Sequence, residues 1–314
     1  MCEIHFLMPI QSRLESLDME QITALLKKGA EKNKDGFGLF DEAHILRRPC
    51  AYSDKFNSLL AKRFKDSVFI VAHNRLATHG NVKKKNTHPF ASGQLVWVHN
   101  GMIFNYEEIA TEYKLGRVLV DSEVIGKAIE KELANRDIVS AIKQVAEKLK
   151  GSYSVFVWHK PSQRLLYFRH DADFYFRLYK RQGKKVIVGS SVKDNLQGLY
   201  SQSLYGFDVP TSQRLAVKEP EAGTIYELDK AQGLRALQTF KPREFAGYGY
   251  YQGFSPECLS DSIEVKKLGA GTYKLIAEEQ VLKQLRDYFG PLFLDKQKAI
   301  VDSGGLEELM EMLY

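Results

Sequence analysis

Cysteine is scarce in this sequence, and the few cysteines are not paired. Among 314 residues there are three, Cys2, Cys50 and Cys258, and no two of them lie close together in the sequence. An odd number of widely spaced cysteines without a CxxC pair argues against a disulfide framework and against a zinc site. We therefore expect no metal centre and a reducing, cytoplasmic location.

Long apolar runs are also missing, and charge of one sign does not accumulate. No run of about 18 apolar residues occurs, and the N-terminus lacks the basic segment and apolar stretch of a signal peptide. The net charge of +6 is modest, and the densest basic stretch, Lys83 to Lys85, has no aromatic residues among its lysines. We expect a solvated loop at these lysines, no membrane segment and no requirement for nucleic acid.

What is present is the composition of a globular protein. Apolar residues make up 44% of the chain and charged residues 27%, and 18 Phe with 16 Tyr supply bulky groups for a core. The length suits a large domain with an extension, or two modest domains.

The pattern of apolar residues predicts strands on either side of a block of helices. Helices are expected at 19–31, beginning with a capping box of Asp18 and Gln21, and at 54–65, 105–114, 121–133 and 136–149. Strands are expected at 3–9, 68–73, 152–159, 164–169, 174–179, 185–189 and 223–227. This order favours an α+β sandwich over a repeated βαβ unit.

The dipeptide Asn100-Gly101 stands between the apolar stretches 94–99 and 102–104. An Asn-Gly pair between two such stretches is typical of a two-residue β-hairpin turn. We therefore predict a hairpin whose turn is formed by these two residues.

The character of the sequence changes after residue 232. Residues 245–254 are rich in glycine and aromatic residues, and helical patterns are expected at 276–289 and 305–313. We divide the chain into a first domain, residues 1–232, and a C-terminal extension of unknown role, residues 233–314.

Cys2 is a candidate nucleophile because of its position. Removal of Met1 would leave a free α-amine beside the Cys2 thiol, and an amine that titrates at about 7.7 to 8.0 can take and return the thiol proton near neutral pH. A lone cysteine more often packs as a small apolar residue. Its interpretation therefore depends on the other motifs of the chain.

Three blocks follow Cys2 in order, and together they resemble a known family. They are His73-Asn74-Arg75-Leu76-Ala77-Thr78-His79-Gly80, Asn86-Thr87-His88-Pro89-Phe90, and residues 98–108, which begin Val98-His99-Asn100-Gly101. The blocks resemble the glutaminase domain of class II glutamine amidotransferases, as found in glucosamine-6-phosphate synthase. Met1-Cys2-Glu3 is similar to the start of stand-alone members, whereas Cys-Gly-Ile is typical of the synthases.

The resemblance implies a role for each matching residue. Cys2 is implied as the nucleophile, and Asn100 and Gly101 as the oxyanion hole that receives the developing negative charge. Arg75 is implied to bind the substrate carboxylate and Asp121 the substrate ammonium, so that a whole glutamine zwitterion is recognised. The alternatives are a structural salt bridge for Arg75 and an ordinary helix N-cap for Asp121.

Other polar residues of these blocks have weaker assignments. Thr78 and His79 match positions in the wall of the substrate pocket. We expect His88 to fix its loop through a hydrogen bond, and His73 and His99 to be core residues on strands.

The fold that the resemblance implies is the four-layer αββα sandwich of N-terminal nucleophile hydrolases, followed by a small C-terminal extension. The implied reaction is hydrolysis of L-glutamine through a Cys2 thioester, with no cofactor and no metal. No synthase signature follows residue 232, so the ammonia would serve a separate acceptor enzyme. Two alternatives stay open: an amidohydrolase acting on a γ-glutamyl compound, and a glutaminase-like fold kept as an interaction module without catalysis.

Overall fold

The structure is a computed structural model that describes residues 2–76, 83–181, 183–200, 217–243, 263–269 and 272–277. The chain divides into two compact units, Met1–Arg243 and Glu244–Tyr314. Each unit is described by itself below.

The first unit contains twelve strands and five α-helices among its described residues. The strands are β1 (Glu3–Pro9), β2 (Gly36–Phe40), β3 (Ile45–Arg48), β4 (Ile70–Arg75), β5 (Phe90–Ala91), β6 (Leu95–Ile103), β7 (Gly151–His159), β8 (Arg164–His170), β9 (Tyr175–Arg181), β10 (Lys184–Ser190), β11 (Thr224–Asp229) and β12 (Gly233–Thr239). The helices are α1 (Ser16–Lys32), α2 (Asn57–Phe64), α3 (Tyr106–Glu112), α4 (Ser122–Glu132) and α5 (Ile138–Ala146).

These strands form two antiparallel sheets of six strands each. The first sheet has the order β3-β2-β4-β1-β10-β9, and the second has the order β12-β11-β8-β7-β6-β5. β1 therefore lies in the interior of the first sheet, where it pairs with β4 on one side and β10 on the other. β6 lies near one edge of the second sheet, between β7 and the short β5.

Three apolar layers hold the sheets and helices together. Between the sheets, side chains from the first sheet such as Ile4 and Phe6 pack against Val98 and Phe156 of the second. Helices α1 and α2 cover the outer face of the first sheet, and α4 and α5 cover that of the second. The layers thus follow the order helix, sheet, sheet, helix, and the expected αββα sandwich is confirmed.

The sequence of β1 explains why all seven of its residues are buried. Successive side chains of a strand point to opposite faces of the sheet. Ile4 and Phe6 point into the layer between the sheets, while Leu7 points into the layer under the helices. Both faces of the strand are covered, so the whole stretch is buried, including the polar residues Glu3 and His5.

Helix α1 begins earlier than the sequence predicted. Its capping box joins Glu15 and Asp18, and the backbone N–H of Glu15 donates to Asp18 Oδ2 over 2.8 Å. The predicted box of Asp18 with Gln21 is therefore wrong. The side chain of Gln21 instead accepts a hydrogen bond from the backbone N–H of Tyr200.

The predicted hairpin at Asn100-Gly101 is also wrong. β6 runs without a break from Leu95 to Ile103, and these two residues pair with Ser154 and Tyr153 of β7. Gly101 has a φ of +130°, and a Cβ built on it would lie 2.0 Å from the Ser152 carbonyl oxygen. The glycine therefore allows a close approach of two strands and not a tight turn.

The end of the first unit differs from the division made on the sequence. β12 pairs with β11 in the second sheet, and the unit extends to Arg243. In the second unit, the described residues form an antiparallel strand pair, β13 (Ile263–Gly269) and β14 (Thr272–Ala277). Of the predicted helices at 276–289 and 305–313, residues 276 and 277 end β14 and the rest lie outside the described residues.

Among the described residues, no helix is both long enough and apolar enough to cross a membrane.

Gly38 lets the segment that enters β5 pack directly on β2. A Cβ built on Gly38 would lie 2.0 Å from the His88 carbonyl oxygen and 2.7 Å from the Leu46 carbonyl oxygen. Both neighbours are backbone atoms, which cannot move away as the end of a side chain can. The glycine at this position therefore fixes how closely His88 approaches the first sheet.

We expect Gly38→Ala to lower the free energy of unfolding by about 2–3 kcal/mol, because the added methyl group overpacks two backbone strands. The control is Gly116→Ala, at a φ of +72° with no atom within 4 Å of the built Cβ, which has only a conformational cost of about 1 kcal/mol. Urea unfolding of both variants measures the difference. Equal losses in the two variants would contradict the packing argument.

Candidate functional site

The Cys2 thiol lies at the end of the first sheet, beside the last residues of β4. Glu3 pairs with Asn74 in the antiparallel ladder of β1 and β4, so Cys2 lies next to Arg75. The Cys2 thiol donates to the Leu76 carbonyl oxygen over 3.3 Å, and Sγ accepts from the Leu76 N–H over 3.3 Å. The end of β4 thus holds the candidate nucleophile against the residue that follows Arg75.

Burial raises the pKa of the Cys2 thiol. The hydrogen bond with Leu76 and the positive charge of Arg75 act in the opposite direction, and the negative charge of Asp121 adds to the increase. The net direction is upward, so the thiol is protonated at neutral pH. A nucleophile in this setting needs a base.

Asn100 and Gly101 lie on β6 of the second sheet, and Asn100 is linked to β1 of the first sheet through Ser191. Alternate residues of β6 face the layer between the sheets, and Val96 and Val98 lie in that layer. Asn100 continues this face and is 7% exposed. Its Nδ2 donates to Ser191 Oγ over 3.3 Å, and Ser191 is itself bonded to Ile4 of β1.

Asp121 is the N-cap residue of α4. Its Oδ1 accepts from the Ser122 N–H over 2.8 Å, and its Oδ2 accepts from the Ile103 N–H over 2.9 Å. The carboxylate is therefore fixed between the helix and the end of β6. The N-cap interpretation of Asp121 is confirmed, and its role in binding an ammonium group stays a prediction.

Ser122 joins α4 to β6 at two further points, which the sequence analysis missed. The Ser122 Oγ lies 2.9 Å from His99 Nδ1, and its carbonyl oxygen accepts from Trp97 Nε1 over 2.8 Å. These bonds set the position of Asp121 relative to Asn100 and Gly101. The pattern Asp-Ser-Glu at a helix start was visible, but the partners on β6 were not.

Thr78 and His79 lie outside the described residues. Their assignment to the wall of the substrate pocket stays a prediction.

Three histidines of the sequence blocks that follow Cys2 are buried: His73, His88 and His99. The rings of His73 and His88 are in contact at a tilt of 34°, with centroids 4.1 Å apart, and His88 also makes a T-shaped contact with Phe90. His73 is fully buried and His99 is 2% exposed, which confirms them as core residues. Neither ring nitrogen of His88 has a hydrogen-bond partner within the part of the chain that the structure describes. The predicted hydrogen bond of His88 to its loop is therefore wrong, and the ring is held by packing.

These histidines are neutral because they are buried. Burial lowers the pKa of His73 to about 3, and it lowers the pKa values of His88 and His99 as well. Mutual repulsion between the rings and the charge of Arg75 act on His73 and His88 in the same direction. His73, His88 and His99 are therefore uncharged at neutral pH.

Glu3 is a buried carboxylate next to the candidate nucleophile, and the sequence analysis gave it no role. Its Oε1 accepts from Asn33 Nδ2 over 3.1 Å, and its Oε2 accepts from Asn195 Nδ2 over 2.9 Å. Burial raises its pKa, and these two bonds partly oppose the increase. Glu3, the first residue of β1, thus ties the end of α1 and the segment after β10 to this strand.

Within the described residues, no three His, Cys, Asp or Glu side chains are grouped as ligands of a metal ion.

A glutamine amidotransferase family model matches this chain over residues 73–197. The matched range includes Arg75, Asn100, Gly101 and Asp121, and Cys2 lies before it. Two curated relatives are glutamine–fructose-6-phosphate aminotransferases (isomerizing). The Helicobacter pylori protein is 26% identical over 197 residues, or 61% of this chain. The Thermotoga maritima protein is 31% identical over 155 residues, or 46% of this chain. The chain spans 30% and 25% of the length of these two relatives.

Two solved structures share the fold. The glutamine phosphoribosylpyrophosphate amidotransferase of B. subtilis superposes with a TM-score of 0.55 at 14% identity and covers 79% of this chain and 52% of its own. A structure described as the allosteric regulatory enzyme of purine biosynthesis gives a TM-score of 0.55 at 15% identity, over 76% of this chain and 49% of its own.

The two-sheet architecture, covered by helices on both outer faces, is the fold that the chain shares with these two solved structures. Residues 73–197 of the chain match a glutamine amidotransferase domain, and the two aminotransferase relatives are similar to the chain over part of its length.

We expect the free energy of unfolding to fall as the pH decreases below about 6.5. Burial lowers the pKa values of His5 and His73 to about 3, so the unfolded chain takes up protons between these limits that the folded chain does not. Each such histidine contributes a slope of up to about 1.4 kcal/mol per pH unit. Urea unfolding at a series of pH values between about 7.5 and 4.5 measures the slope.

His73→Gln should lower this slope by up to about 1.4 kcal/mol per pH unit, the contribution of one proton. The control is His170→Gln, at the partly exposed end of β8. An unchanged slope in the His73 variant would contradict the assignment.

Proposed function

We propose that the domain hydrolyses the side-chain amide of L-glutamine to glutamate and ammonia, with Cys2 as the nucleophile. The observation that carries this proposal is the convergence at the ends of two sheets: Cys2 beside Arg75 on the first sheet, and Asn100 on the facing surface of the second. Asp121 completes the group from the start of α4.

The raised thiol pKa makes a base necessary. After removal of Met1, the α-amine of Cys2 would take the thiol proton while the sulfur attacks the amide carbon. The carbon–nitrogen bond then breaks, and the same proton leaves with the ammonia. Water, deprotonated by the amine, hydrolyses the thioester to release glutamate and the free thiol.

The side-chain N–H of Asn100 and the backbone N–H of Gly101 would bind the oxyanion of the tetrahedral intermediate. Both residues lie on a strand within a sheet, so their donors are fixed before the substrate arrives. Preorganised donors of this kind typically contribute a factor of roughly 100 or more to the rate.

Arg75 and Asp121 would recognise the two charged ends of the substrate. Arg75 is 5% exposed and provides a planar guanidinium suited to a carboxylate. Asp121 provides an anchored carboxylate for the ammonium. Because both charged ends of the substrate would be matched, an amide that lacks either end would be rejected.

The ammonia would serve an acceptor enzyme on a separate chain. The relatives named above are aminotransferases that use fructose-6-phosphate, and this chain matches about a quarter to a third of their length. A cytoplasmic location is part of the same proposal, and its support is the set of three widely spaced cysteines.

We expect Cys2→Ala to abolish glutamine hydrolysis, and Cys50→Ala to leave it unchanged. Cys50 is the matched control because it is the other free cysteine among the described residues. A diazo-ketone analogue of glutamine should add one equivalent to the wild type and to the Cys50 variant, and none to the Cys2 variant, as measured by intact mass.

Retained hydrolysis in Cys2→Ala would refute the nucleophile. A wild type that neither hydrolyses glutamine nor is labelled would favour an interaction module. Faster hydrolysis of γ-glutamyl peptides than of glutamine would favour the stand-alone amidohydrolase.

We expect Asp121→Asn to lower kcat/KM for glutamine by about 10- to 100-fold, mainly through KM, because a charged hydrogen bond to the substrate ammonium is lost. The amide keeps one oxygen for the Ser122 N–H of the helix cap but loses the acceptor of the Ile103 N–H, so the free energy of unfolding should fall by about 1–3 kcal/mol, and KM is measured where the variant is still folded. Glu123→Gln, two residues further along α4, is the control for a lost charge. An unchanged KM in Asp121→Asn would contradict the binding role.

A further inference from the structure

The side chain of Ser191 takes the place of a backbone hydrogen-bond acceptor just beyond the paired residues of β1 and β10. His5 pairs with Ser190, and beyond this pair the Ser191 N–H donates to the Ile4 carbonyl oxygen over 3.0 Å. The return bond from the Ile4 N–H is accepted by Ser191 Oγ over 3.1 Å, and not by a backbone oxygen. The Ser191 hydroxyl is therefore held just after the end of β10 by Ile4 of β1.

The same hydroxyl oxygen accepts a second hydrogen bond, from Asn100 Nδ2 over 3.3 Å. A hydroxyl oxygen has two lone pairs, and here both face N–H donors, one from Ile4 and one from Asn100. The bond connects the first sheet, which carries Cys2, to the second sheet, which carries Asn100. It fixes the rotation of the Asn100 carboxamide about its last torsion, which is otherwise broad.

We propose that Ser191 is a positioning residue that orients the Asn100 amide for the oxyanion. This inference rests on the proposed glutaminase function. The Asn100 side chain has two N–H bonds, and Ser191 Oγ takes one of them. The other is then directed away from Ser191 and would be the donor to the oxyanion.

The expected effect appears in the transition state. The oxyanion develops only when the thiol has attacked, so a misoriented Asn100 amide leaves substrate binding intact and weakens the tetrahedral intermediate. Loss of Ser191 removes the restraint on the amide but not the donor itself. Its effect should therefore be smaller than the effect of removing Asn100.

The test compares Ser191→Ala and Ser191→Thr with the wild type. Ser191→Ala should lower kcat by roughly 3- to 10-fold, the worth of a neutral hydrogen bond, with little change in KM. Ser191→Thr keeps the hydroxyl and should restore most of the rate. Ser190→Ala is the matched control, because Ser190 bonds to His5 of the same strand and has no bond to Asn100.

A double-mutant cycle separates positioning from a general effect on the fold. In an Asn100→Ala background, Ser191→Ala should cost nothing further, because the group on which it acts is gone. An equal loss in both backgrounds, or no loss of kcat in Ser191→Ala alone, would overturn the inference while leaving the glutaminase function in place.

A spectroscopic measurement keeps the inference testable if the wild type shows no hydrolysis, which would refute the proposed function instead. The side-chain amide resonances of Asn100, assigned by their loss in Asn100→Ala, should shift in Ser191→Ala and stay unchanged in Ser190→Ala. Unshifted resonances in Ser191→Ala would overturn the inference.

Discussion

The pairing of β1 with β4 and β10 is the constraint on which the rest of the site depends. A chain terminus is usually poorly ordered unless it is tied down. Here the first strand begins at Glu3 and lies in the interior of a six-stranded sheet, with all seven residues buried. Cys2, the residue before this strand, therefore has a defined place beside Arg75, which its proposed role as a nucleophile requires.

The second sheet brings the remaining groups to that place through a small number of polar contacts. Ser122 joins α4 to β6, and Asp121 accepts from the backbone at the end of β6. Ser191 joins Asn100 to β1. Each contact links residues far apart in the sequence. The apolar layer between the sheets sets their separation, and these bonds set the orientation of the polar side chains at its end.

The sequence predicted the element order and the fold class because the apolar periods are clear and the strands are long. It also proposed Arg75, Asn100, Gly101 and Asp121 as one site through the resemblance of their motifs to a known family, and their roles stay a prediction. It failed where a local pattern had two outcomes. Asn100-Gly101 has the composition of a turn, but the approach of β7 places it within a continuous strand.

Other features could not be predicted because they depend on partners from distant elements. Glu3 looked like an unremarkable departure from the synthase pattern, yet its carboxylate joins Asn33 and Asn195. His88 carries polar nitrogens, which suggested a hydrogen bond, but its buried ring packs against that of His73. Ser191 belongs to no motif, and its contact with Asn100 exists only when both sheets are assembled.

The measurement that tests the central claim most directly is the identity of the covalent intermediate. The protein would be mixed with glutamine, quenched in acid during turnover, digested and analysed by mass spectrometry. The account predicts a γ-glutamyl thioester on an N-terminal peptide that begins with Cys2, with Met1 absent. A thioester on another cysteine, or full activity in a chain that retains Met1, would contradict it.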